Sequence, residues 1–93
     1  MFERYRGKIE QYCNDVGIEI PIGFHRHDAC RYVAIDHDVF PPKLIAMTWS
    51  SEEDVVKSLM SNTVGQNVRL LDFEDRRELT FNDRSRLVKG APF

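Results

Sequence analysis

Apolar residues recur at steps of three and four near the start of the chain: Phe2, Tyr5, Ile9, Tyr12, Cys13 and Val16. That spacing predicts an amphipathic helix over 2–16 with one stripe turned to a core. Arg4, Lys8, Gln11 and Asp15 fall on the opposite face. Gly7 weakens the helix by about 1 kcal/mol relative to Ala, and Gly17 stands where a left-handed C-cap would end it. The period then changes to two. Ile18-Glu19-Ile20-Pro21-Ile22 alternates, but Pro21 has no N–H, so the segment reads as an edge strand or an extended approach. Cys30 to Asp36 is rich in β-branched and aromatic residues and reads as a second extended segment. Phe40-Pro41-Pro42 breaks it. Lys43 to Trp49 is apolar on both faces, which places it centrally in a sheet.

A helix start follows. Ser50 stands three residues before Glu53, the spacing of a capping box, and Glu52, Glu53 and Asp54 suit the positive end of the dipole. This second helix runs to about Ser61, burying Val55, Val56, Leu59 and Met60, and Asn62 to Gly65 ends it. Asn67 to Phe73 reads as a strand and Glu74-Asp75-Arg76 as a turn. Arg77 to Phe81 alternates and pairs back as a hairpin. Asn82 or Asp83 caps a short final helix, or the chain ends in an irregular edge segment; residues 90–93 read as a loose end.

The expected architecture is one α+β domain over 1–93. Its mainly antiparallel sheet has four or five strands, with two helices on one face, in the order α-β-β-β-α-β-β before the open C-terminal segment. That order is similar to the one found in small class I secretion chaperones of bacterial pathogens, although no sequence motif of theirs is present.

Ninety-three residues suffice for a modest core, burying somewhat over ~60% of the unfolded surface. An apolar fraction of 42% with 30% charged residues is ordinary for a globular chain. The net charge of −2 hides an asymmetry. Residues 1–75 hold eight Lys/Arg against thirteen Asp/Glu, a net of −5, whereas 76–93 hold five against two, a net of +3. A basic tail on an acidic body can mark a nucleic-acid arm, through Arg76, Arg77, Arg84, Arg86 and Lys89, with Phe81 as a stacking platform. Its plain alternative is a solvated terminal face. No run approaches the ~20 apolar residues of a membrane span, and no signal-peptide core is visible, so the chain reads as cytoplasmic. Cys13 and Cys30 then fit buried free thiols.

The densest candidate chemistry is His25, His27 and Asp28 on one side of an apolar run and Asp36, His37 and Asp38 on the other. If the run is a strand, the two clusters flank it and do not converge on one ion. His25 and His27 alone supply two of the four ligands of a structural zinc site. No GxSxG, phosphate loop or GxGxxG occurs. The expectation is therefore a non-enzymatic protein-interaction module without a cofactor: an adaptor, inhibitor, antitoxin-like or chaperone-like factor, either binding another protein or pairing with itself. Phe24, Phe40 and Phe93 are its candidate anchors, as aromatics in loops or at the end of the chain. Each could equally fold back onto the core. A small nucleic-acid-binding regulator is the second reading, and a metal-dependent enzyme built on the histidines the third.

Overall fold

The structure, a computed structural model, describes residues 3–61, 68–81 and 86–93. Along the chain run α1 (Glu3–Val16), a 3-10 turn (Phe24–Arg26), β1 (Tyr32–Asp36), β2 (Lys43–Trp49), α2 (Glu52–Ser61), β3 (Val68–Asp72), β4 (Arg77–Phe81) and β5 (Leu87–Pro92). The strands form one sheet in the order β2-β1-β3-β4-β5, and every neighbouring pair is antiparallel. This is an α+β fold of the kind the residue pattern predicts.

Several elements fall where their local signals put them. Tyr5, Ile9 and Cys13 of α1 are buried, while Val16 is exposed and Phe2 lies outside the described residues. Gly17 has φ 78°, and the Ile18 N–H donates to the Cys13 carbonyl at 2.8 Å, closing the helix in a Schellman cap. The hairpin of β3 and β4 pairs Leu70 with Leu79 and Asp72 with Arg77.

The two helices do not share a face. Tyr5, Ile9 and Cys13 of α1 pack with Val33, Ile35, Leu71 and Phe73, whereas Val55 of α2 packs with Tyr32, Ala34, Leu70 and Leu79. Successive strand residues point to opposite sides of a sheet, so α1 and α2 cover opposite faces. The cause lies in β1: residues 32–35 are buried on both sides, and one helix cannot cover both.

Of the two alternatives for residues 18–22, the structure shows the extended approach, joined to the β2 backbone by a parallel bridge between Glu19 and Lys43. Other expectations change. Lys43–Trp49 is an edge strand and not a central one, because β3 pairs with β1 after the chain crosses through α2. The end of the chain is β5, paired with β4 at the sheet edge with one register shift: the edge-segment alternative holds, and the short helix and the loose end at 90–93 do not. The observed order, with two strands before α2 and three after, therefore departs from that of the secretion chaperones. Finally, the cap of α2 is Ser51: its Oγ accepts the Asp54 N–H at 3.2 Å, one residue later than the Ser50–Glu53 pairing. Within α2 Val55 is buried and Val56 half-buried. The side chains of Leu59, Met60 and Phe81, the helix end at 62–65 and the caps at Asn82 or Asp83 lie outside the described residues.

Candidate functional site

The outer side of β2 is built by an interrupted ladder. Glu19 bridges β2 with two bonds: its N–H donates to the Pro42 carbonyl at 2.7 Å, and its carbonyl accepts the Leu44 N–H at 3.0 Å. The next donor due in a parallel ladder belongs to residue 21, which is a proline and has none. The Pro21 carbonyl instead accepts the Phe24 N–H at 3.2 Å, and Gly23 (φ 91°) lets the chain turn away. Contact resumes where the Cys30 N–H donates to the Met47 carbonyl at 2.7 Å. Between these tethers an open cleft of about 370 Å³ lies along β2, lined by Pro21, Ile22, Phe24, His27 and the strand residues Leu44 to Thr48.

The strand itself is irregular here. Ala34 pairs with Ala46 and Ile35 with Leu44, so Ile45 is an extra residue in β2, a bulge. A second irregularity lies between Ala46 and Trp49. These shifts let Leu44 and Met47, three apart, both face the α1 core, and they leave Ile45 48% exposed. Ile22 across the cleft is fully exposed, as is Phe40 (99%), and Val39 is 46% exposed. Four of the six exposed large apolar side chains among the described residues thus belong to β2 and its two flanking loops.

The three candidate aromatic anchors have different fates. Phe40 extends into solvent. Phe24 is 2% exposed and forms part of the α1 core. Arg6 clamps it there: the guanidinium lies 5.5 Å from the ring centroid and donates to the Phe24 carbonyl at 2.9 Å and the His27 carbonyl at 2.6 Å. Phe93 folds back, edge-on to Tyr12 at 5.0 Å and to Phe73 at 5.1 Å. Neither Phe24 nor Phe93 therefore offers a free ring to a partner.

The described basic residues of the C-terminal third hold partners of different kinds. The Arg76 guanidinium sits over the rings of Phe93, Phe73 and Tyr12 at 4.6, 5.5 and 5.9 Å. Arg77 donates to the Gly90 carbonyl at 3.1 Å. Lys89 is paired with Asp75 and lies 3.8 Å from Asp72. Arg86 is exposed in a shallow depression between α2 and β5, beside Glu52, Glu53 and Lys57. Arg84 lies outside the described residues.

His25, His27 and Asp28 are exposed on or beside the 3-10 turn, with β1 between them and the second cluster. Asp36 accepts the Asp38 N–H at 2.8 Å, bracing the loop that carries Val39 and Phe40. Among the described residues no three His, Cys, Asp or Glu side chains are grouped so as to hold a metal ion. Both cysteines are buried and free; burial pushes the Cys13 thiol up to about 11 and raises that of Cys30. Such thiols stay protonated at neutral pH and are poor nucleophiles.

One constellation has no signal in the sequence. Asp72 is completely buried and takes a bidentate Arg31 guanidinium, Nε to Oδ1 and Nη2 to Oδ2, both at 2.8 Å. Its Oδ1 also accepts the Glu74 N–H at 2.9 Å. This hydrogen-bonded pairing with Asp72 raises the Arg31 pKa. Arg31 and Asp72 are forty-one residues apart and meet because β1 pairs with β3. The signal for the cleft, in contrast, is present in Pro21, two residues after the Glu19 bridge. No described helix is long and apolar enough to cross a membrane. Compared with family models, curated proteins and solved structures, the chain matches none.

Proposed function

We propose that this chain is a non-enzymatic protein-interaction module whose contact surface is the β2 edge. One observation carries the reading: Ile22 and Ile45 are exposed on a cleft along the β2 edge that its own ladder leaves open, and the loop leading into that strand carries the exposed Val39 and Phe40. Large apolar side chains scattered singly on a surface need no explanation, but a contiguous group rimmed by polar residues marks a contact site. At about 370 Å³ the cleft is near the small end of the roughly 300–1,000 Å³ typical of ligand pockets. It is open along the strand and lined mainly by apolar side chains, with the Phe24 ring, the His27 imidazole and the Thr48 hydroxyl among them, which suits side chains of another polypeptide. The nucleic-acid reading has less support, because Arg76 and Lys89 already hold aromatic and carboxylate partners.

A photo-reactive residue at position 22 tests this in cells. The expected result is a cross-linked adduct with one protein identified by mass spectrometry, lost in Ile45→Glu and absent when the reactive residue replaces the exposed Glu53 on α2. Equal adducts from positions 22 and 53, or none from 22, would refute the reading.

A further inference from the structure

We infer that Pro21 is a positioning residue: it holds Ile22 away from the sheet and so keeps the β2 cleft open. The inference rests on the cleft being a contact surface, and adds what stops the chain from covering that surface itself. Three observations carry it. First, residues 18–22 are already in register for one more bond. Glu19 pairs with Lys43 in parallel, its N–H donating to the Pro42 carbonyl and its carbonyl accepting the Leu44 N–H. A strand residue turns its N–H and C=O to the same side, so the Leu44 carbonyl also faces residues 18–22, where an N–H on residue 21 would meet it. Proline has no such donor. Second, the side chains stop alternating at the same point. Ile18 is buried and Ile20 packs against the α1 core, whereas Ile22 is fully exposed. Residues i, i+2 and i+4 of an extended chain share a face, so Ile22 is the one member of the row turned out. Third, a turn stands where the ladder would continue. The Pro21 carbonyl accepts the Phe24 N–H, and Gly23 takes φ 91° and ψ 3°.

A donor at position 21 changes the balance. Its bond to the Leu44 carbonyl draws residue 21 against β2 and turns Ile22 inwards, beside Leu44 and into the recess it now borders. The bulge at Ile45 begins one residue beyond that carbonyl, so it leaves this bond free to form while preventing a longer ladder. Isoleucine favours extended backbone, and turning Ile22 inwards removes apolar area that now stands in water. The missing N–H at residue 21 is what opposes the closure. Proline on an edge is a general device against unwanted pairing; here the pairing it prevents is with the chain's own strand.

Thiol labelling and amide exchange on the full chain test this. Ile22→Cys places a thiol at the exposed position, with the buried Cys13 and Cys30 as slow internal references. Adding Pro21→Val is expected to slow maleimide labelling at position 22 by about tenfold or more, as for a site that reacts only on local opening. In Pro21→Val with Ile22 retained, the new amide at position 21 should exchange with solvent about tenfold or more slower than in a free peptide. Pro21→Ala restores the N–H with less bulk, acts in the same direction, and carries the test should Pro21→Val not fold. A proline that merely stiffens the chain predicts the reverse: faster labelling and an unprotected amide. Unchanged or faster labelling, or an unprotected amide, overturns the inference. So does loss of folding in both variants, since an added bond does not cost the fold. The contact reading fails separately. If the variants close the cleft but the native chain gives no adduct from position 22, Pro21 keeps its role and the contact surface is refuted. If the native chain gives the adduct and Pro21→Val leaves position 22 equally reactive, the surface stands and the role of Pro21 falls.

Discussion

Burial separates residues that look alike in the sequence. Arg31–Asp72 and Arg4–Glu74 are both ion pairs with N–O distances of 2.8–2.9 Å, but Asp72 is sealed from solvent while the side chains of Arg4 and Glu74 are 66% and 40% exposed. Removing one partner of a buried pair leaves an uncompensated charge. Arg31→Met leaves Asp72 with only the more distant Lys89, 3.8 Å away, and should lower the unfolding free energy in urea titration by somewhat less than the ~3–5 kcal/mol of an unshared buried pair, while Arg4→Met leaves the midpoint nearly unchanged. Adding Asp72→Asn to Arg31→Met should recover part of the loss, since the amide oxygen can still accept the Glu74 N–H. Cys13 makes a pH prediction of definite sign. Its thiol rises from an ordinary 9.0 to about 11 because burial disfavours the thiolate. The unfolded chain then loses this proton first as the solution becomes alkaline. Stability from this group is complete below pH 9 and is lost as pH rises towards 11. Urea midpoints across that interval should fall, and Cys13→Ala should flatten the decline; Cys30 works in the same direction.

Local patterns decide whether an element forms, and pairing decides where it goes. The cap of α2 provides a clean test: Ser51→Ala should cost about 1 kcal/mol, the usual loss of an N-cap hydroxyl, while Ser50→Ala should leave thermal unfolding almost unchanged. The sequence favours Ser50, because Glu53 completes a capping box with it; the structure uses Ser51, whose Oγ accepts from Asp54. The stripe of α1 and the hairpin of β3 and β4 were legible because each depends on residues within a dozen places of one another. The edge position of β2 was not, because it depends on β3 returning to β1 from beyond α2. Nor was the fate of the three phenylalanines. Phe24 is buried by a turn at Gly23 and a clamp from Arg6, Phe93 by the rings of Tyr12 and Phe73, and Phe40 by nothing the described residues supply. Identical side chains in similar loop contexts are sorted by distant neighbours. The end of the chain stays open between a helix and an edge segment for the same reason: Leu87 and Val88 are too few to set a period, and only β4 makes them a strand.

For the whole molecule, two cores share one sheet, and β1 supplies alternate side chains to each: Tyr32 and Ala34 to the α2 side, Val33 and Ile35 to the α1 side. Displacing that strand by a single place would exchange large for small on both sides together, setting a tyrosine ring against α1 and opening a void under α2. The stretch from Tyr32 to Asp36 is the ruler against which both helices are laid, and its register is held from both faces at once.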